Sequence, residues 1–150
     1  MIGVKFTGLS AELSRLNSMA AKLQPRLMEA MEISTRDVQE YAREHHRFTT
    51  RNSDAERSID ARVESVGTIG AMGEVGTTRL VTIYLHQGTK PHTIVPRSKQ
   101  VLRWPAGGEF AFAKRVHHPG TKQDPFIYEA ADHEQKTIVD RFDRIIKEWE

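Results

Sequence analysis

His86-Gln87-Gly88-Thr89-Lys90-Pro91-His92-Thr93-Ile94 and His118-Pro119-Gly120-Thr121-Lys122-Gln123-Asp124-Pro125-Phe126-Ile127 are two versions of one short phrase. Each has a His, then Gly-Thr-Lys, then a Pro followed closely by an apolar residue. Between them run Ile94 to Trp104, a Gly107-Gly108 pair, and Glu109 to Val116. Glycine and proline punctuate a chain at turns and at element starts. The order is therefore loop, hairpin, loop, helix entry.

The hairpin is expected from Gln100 to Trp104 and from Glu109 to Val116 across the glycine pair, with Pro105 bounding its first strand. Phe110 and Phe112 share one face of the second strand, and Leu102 and Trp104 share one face of the first, an alternation typical of core residues. Downstream, Asp124 suits an N-cap and Pro125 a first helical position. The helix they open carries Phe126, Ala130, Ile138, Phe142, Ile145 and Trp149 as a buried stripe, with Phe142 expected between the helix and the sheet.

Upstream of the phrase, Leu80-Val81-Thr82-Ile83-Tyr84-Leu85 is rich in β-branched residues and reads as a buried strand, with a helical turn as the alternative. Ile59, Ala61 and Val63 alternate with Asp60, Arg62 and Glu64, the period of a strand with one wet face. Gly67 to Gly73 interrupts it, and a short strand follows around Glu74 to Thr77. Phe48 to Ala55 is polar and turn-rich, hence a loop. Leu9, Leu13, Leu16, Ala20, Leu23, Leu27, Met31, Val38 and Tyr41 recur at helical spacing, with Ser10 as N-cap and Leu9 as a staple. Pro25 divides this run into helices ending near Leu23 and running from Pro25 to about His46, or kinks a single one. Met19, Met28 and Met31 are expected to fill core.

The expectation is one α+β domain over residues 1–150: helical from 8 to 47, sheet and loop or arm from 57 to 118, and a C-terminal helix from 124 to 149. A small antiparallel sheet with a long β-hairpin is packed by the N-terminal helices and the C-terminal helix. At 38% hydrophobic and 28% charged, the chain has the composition of an ordinary globular domain. No run approaches the roughly 20 apolar residues of a membrane span, and Met1 to Thr7 lacks the pattern of a signal peptide. Zero cysteines exclude disulfides and thiolate metal sites and fit synthesis in a reducing cytoplasm.

Charge is unevenly placed. Between Thr77 and Lys122 stand Arg79, Lys90, Arg97, Lys99, Arg103, Lys114, Arg115 and Lys122 against the single acid Glu109. Such a stretch attracts nucleic acid or an acidic protein surface, or simply solubilises exposed loops.

The residues offer little catalytic chemistry. His86, His92, His117 and His118 with Glu109 or Asp124 match no zinc-ligand spacing, and adjacent His117 and His118 in a strand point to opposite faces. No nucleophile motif or phosphate-binding glycine loop is present, and Gly67, Gly70, Gly73 and Gly76 do not form a dinucleotide fingerprint. His45-His46 suits a helix end, where a cation meets the dipole. The sequence argues against an enzyme, and no metal or cofactor is expected.

The central stretch resembles the tail-completion and tail-terminator proteins of long-tailed bacteriophages. The residues carrying the resemblance are Gly88 to Ile94, Pro96 to Trp104, and His118 to Lys122 followed by Pro125-Phe126-Ile127 and Ala130. Arg51 to Ile59 resembles the segment leading into the family's first strand, with Asn52-Ser53 where the family has threonine-glycine. The resemblance implies a non-enzymatic virion protein, made in the host cytoplasm, that assembles as a ring, commonly six-fold, at the head-facing end of the tail tube. Implied partners are other copies of the chain, the tail tube protein and the head–tail connector or stopper, with passing contact to genomic DNA and none to membrane. Under this reading Gly88 to Lys99 is an arm reaching a neighbour. Lys90, His92, Arg97, Lys99, Arg103, Lys114, Arg115 and Lys122 face a partner or the DNA passage. The alternative is a nucleic-acid-binding module using residues 79–122, weakened by the core-like alternation of Trp104, Phe110 and Phe112.

Overall fold

A computed structural model describes residues 9–148, so the Trp149 expected in the last buried stripe lies outside them. The apolar stripe from Leu13 onward does form a helix, and it is one helix: α1 spans Leu9–Glu44 with Pro25 inside it. Proline removes a backbone donor and costs about 3 kcal/mol in a helix interior. Tertiary ties flank it on either side. Gln24 Nε2 donates to the Gly70 carbonyl at 3.0 Å, and Arg26 pairs with Glu148. Ser10 lies within the helix and is not its cap; its carbonyl accepts the Ser14 hydroxyl at 2.9 Å.

α1 is the spine of an α+β fold. A short helix α2 (Asp54–Arg57) leads into β1 (Asp60–Val66), which pairs antiparallel with β2 (Gly70–Gly76). This ribbon lies on α1, and α4 (Phe126–Lys147) lies on α1 as well. The last helix packs chiefly on α1, more than on the strands, and Phe142 is half-buried on it. Where the elements converge, Val38, Ala42, Ile59, Phe126 and Ala130 form the core, with Tyr41, Phe48, Val75, Leu85, Ile127 and Ile138 around them. Polar ties set the register. Arg141 donates to Ser34 Oγ and to Asp37, each at 2.6 Å, joining α4 to α1. Gln39 and Arg43 both donate to the Ile59 carbonyl at 2.6 Å, fixing the entry to β1.

Leu80 to Leu85 is helical, contrary to the strand expected: α3 spans Leu80–Gln87. Its sequence is apolar all round, so periodicity cannot separate the two states. Only Thr82 and His86 on it are buried; Leu80, Val81 and Tyr84 are exposed.

Among the described residues the strands form three separate two-stranded ribbons instead of one sheet. β3 (His92–Ile94) pairs with β6 (Val116–His118), and β4 (Leu102–Ala106) pairs with β5 (Glu109–Ala113). Pro105 sits inside β4, opposite Phe110. The repeated phrase now has a structural meaning. Its two copies run antiparallel, with Thr89 and Thr121 exchanging backbone hydrogen bonds at 2.9 and 3.1 Å. Gly88 and Gly120 have φ of +74° and +92°, and a Cβ on either would run into the opposite copy's backbone. Gly88 to Ile94 is thus half of a stem and no arm. We expect Gly120→Ala to open this stem while the α1–α4 body stays folded. Faster hydrogen exchange at the Thr89 and Thr121 amides, with α1 protection unchanged, is the outcome that checks it.

The Asp124-Pro125 cap also differs from the sequence reading. α4 starts at Phe126, Pro125 is the capping residue, and no side chain caps the helix. The buried Asp124 carboxylate turns to the loop after α1, accepting the backbone N–H groups of Arg47 and Phe48 at 2.5 and 3.1 Å.

Candidate functional site

Beyond the stem the chain projects as an arm, residues 95–115, built around the β4–β5 hairpin. Among the described residues, no helix or other strand packs on this hairpin with more than glancing contact. The register places Arg103, Pro105, Phe110 and Phe112 on one face and Leu102, Trp104, Ala111 and Ala113 on the other. Phe110 is 52% exposed, Phe112 62% and Trp104 38%. The core-like alternation of these aromatics therefore does not bury them. The Arg103 guanidinium lies over the Phe110 ring, 3.6 Å from its centroid, a cation–π contact on an exposed face.

Five of the eight expected interface residues belong to this arm. Arg97 and Lys99 are exposed in the bend after β3, Arg103 is on β4, and Lys114 and Arg115 are exposed between β5 and β6. With Glu109 as the one acid, five cations give the arm a net charge of +4. The other three sit at the stem. Lys90 and Lys122 are exposed in the two Gly-Thr-Lys copies. His92 stacks on His118 at 5.1 Å and donates from Nδ1 to the Lys90 carbonyl at 2.9 Å. His118 Nδ1 accepts the Gly120 N–H at 3.0 Å, so its proton is on Nε2.

A second feature escaped the sequence reading. The polar loop after α1 borders an open cleft of about 770 Å³, with Arg47, Arg51, Arg79 and Lys122 facing Asp54 and Glu56. Several of these charges answer one another. Arg79 donates to Asp54 at 2.9 Å, and Arg47 donates to Asp124 at 3.2 Å and Glu129 at 2.5 Å. The hydrogen bond from Arg57, helped by Arg79, holds the Asp54 carboxyl below the usual range. For Glu56 the largest influence is burial, which raises its pKa. The Thr50 hydroxyl, a backbone donor and nearby His46 and Arg57 outweigh it, and the carboxyl titrates below the ordinary value.

His86 is structural. Its buried ring meets Phe126 and Tyr128 edge-on at 5.2 and 4.7 Å. Burial pushes its pKa down, against the pull of Asp124, which keeps the ring neutral at neutral pH. His46 stacks on Phe48 at 3.7 Å and faces Glu56 at 3.3 Å. Among the described residues no three His, Asp or Glu side chains are grouped as metal ligands, and no helix is long and apolar enough to cross a membrane. Comparison with family models, with curated proteins and with solved structures finds no match to this chain.

Proposed function

We propose that the chain is a non-catalytic subunit of a ring at the head-facing end of a long-tailed bacteriophage tail, where it completes or terminates the tail. In this role it contacts the tail tube protein and the connector or stopper of the neck. The identity of the assembly rests on the sequence resemblance. The observation that carries the assembly role is the arm, a hairpin with exposed aromatics on both faces and, among the described residues, no more than glancing contact with any other helix or strand. An isolated two-stranded hairpin is marginally stable in water, so such an arm calls for a surface to lie on.

The test is charge reversal on the arm. Exposed charges contribute at most about 1 kcal/mol to fold stability, whereas like charges across an interface cost several kcal/mol. Arg97→Glu with Lys99→Glu should give a folded protein with an unchanged circular dichroism spectrum. Phage carrying it should yield unjoined heads and tails, or tails of uncontrolled length. Replacing His92, His117 or His118 singly with Gln should change titre far less. Unchanged titre in the charge-reversed phage, with loss in one histidine variant, would sink the reading.

A second reading gains from one observation. Trp104, Phe110 and Phe112 are exposed on a basic hairpin, the combination with which single-stranded nucleic acid is held by stacking and charge. Retention of DNA that weakens steeply with salt, and that Phe110→Ala and Trp104→Ala abolish, would favour it.

A further inference from the structure

Among the described residues the strands of the arm and the β1–β2 ribbon have no more than glancing contact within one chain, yet their exposed faces are complementary. The antiparallel register puts Asp60, Arg62, Glu64, Val66, Met72 and Glu74 on the same side of β1–β2. Ala61 and Val63, on the opposite side, are half-buried where the ribbon lies on α1. On the outward side Val66 is 52% exposed and Met72 51%, and Ile69 in the turn is 49%. Three acids against Arg62 give the ribbon −2, opposite to the arm's +4. The imbalance extends to the whole chain. Residues 77–122 carry eight cations and one acid, or +7, and the formal total is +2, so the remainder carries −5.

We propose that the Arg103, Phe110 and Phe112 face of the arm in one copy lies on the outward face of β1–β2 in the next copy. Phe110 and Phe112 cover Val66, Ile69 and Met72, while Arg103 meets Glu64 and Glu74. The inference rests on the reading of the chain as a ring subunit and specifies its subunit contact. The contact is heterologous, one surface meeting a different surface, and so propagates from copy to copy until a ring closes. It covers two apolar faces at once and sets Arg103 against Glu64 and Glu74. Nucleic acid on the arm would leave the acidic, apolar ribbon face uncovered, and for that reason a second copy is the occupant favoured.

Each chain carries both halves of the contact, so a charge swap tests it. Arg103→Glu and Glu64→Arg should each weaken self-association at least about tenfold in sedimentation equilibrium. The two combined in one chain should restore it. Circular dichroism separates this loss from unfolding. The chain has no cysteine, so single cysteines report cleanly. Pro105→Cys in a tagged copy and Arg62→Cys in an untagged one, mixed, should join through a short bismaleimide into a mixed dimer. A protein that stays monomeric up to ~1 mM without that cross-link overturns the contact. Rings that form unaffected by either substitution overturn the contact and leave the ring reading standing. Loss of DNA retention in Arg103→Glu with self-association intact assigns the arm to nucleic acid and overturns it too. Absence of any ring from both the purified protein and the virion would remove the reading beneath it.

Discussion

Phe126→Ala should cost about 3–5 kcal/mol of stability. Phe126 is fully buried at the start of α4, among Val38, Ala42, Ile59 and Ala130. It also receives three aromatic edges: Phe48 at 5.4 Å, His86 at 5.2 Å and His46 at 6.5 Å. Truncation leaves a cavity that these rings cannot fill without leaving their own partners, since His46 is stacked on Phe48 and His86 is held against Tyr128. A domain of this size has about 5–15 kcal/mol in total, and each kcal/mol moves its melting temperature by about 2–4 °C. A fall on the order of 10 °C is therefore expected in a thermal melt. Phe112→Ala, on the exposed arm, is the control and should stay within about 0.5 kcal/mol. If the two variants melt together, the core is not where Phe126 places it.

The same contrast shows what was legible in the sequence. Phe126 and Phe112 are the same residue type in equally apolar surroundings along the chain. Phe126 belongs to a helical stripe with Ala130 and Ile145, the one face of α4 that is buried. The later part of the α1 stripe, Met31, Val38 and Tyr41, and the alternation of Ile59, Ala61 and Val63 were readable for this reason: each repeats long enough to define one face. Leu13, Leu16 and Met19, expected in the same stripe or in the core, are exposed instead. Phe112 alternates just as well, but alternation says only that a strand has two faces. Whether another element lies on one of them is decided by tertiary contacts between segments far apart in the chain. Leu80 to Leu85 failed differently, being too short and too uniformly apolar to show a period. Gly73 reads as a strand breaker, but it sits inside β2 because Met31 and Thr35 of α1 approach where a side chain would be.

The cations among the expected interface residues are exposed on loops and strands, where a charge commonly sits. The division of labour was not readable. The stretch from Gly88 to Lys99 was expected to be an arm, and its first half pairs with the second Gly-Thr-Lys copy as the clasp beneath the hairpin. That follows from the two positive-φ glycines facing each other's backbone, a relation between copies about thirty residues apart. The arm proper is the stretch between them.

Asp124→Ala should be the second large loss, and by a route that leaves the hydrophobic core untouched. The Asp124 carboxylate is 4% exposed and takes the N–H groups of Arg47 and Phe48, the two residues with which the chain leaves the end of α1 and turns toward α2. Its other oxygen takes a guanidinium hydrogen bond from Arg47 at 3.2 Å, and its own N–H reaches the Leu85 carbonyl at 3.2 Å. One residue thus joins the loop after α1, through its side chain, to the end of α3, through its backbone N–H, at the entry to α4. Removing a buried acceptor leaves its donors unpaired at about 1–3 kcal/mol each. The Arg47 side chain is largely exposed, so water recovers part of that loss. A net destabilisation of about 2–3 kcal/mol is expected. Asp124→Asn should recover some of it, because one amide oxygen can still accept a backbone N–H while the amide nitrogen cannot. Denaturant melts of the three proteins should order as native, Asn, Ala. Had Asp124 served as the α4 N-cap, the loss would appear as fraying at Phe126 to Glu129, with the 47–56 loop unchanged. Hydrogen exchange resolved by residue should instead show the loop amides of Arg47 and Phe48 opening first. Equal protection of those two amides in the native and Ala proteins would refute the tie.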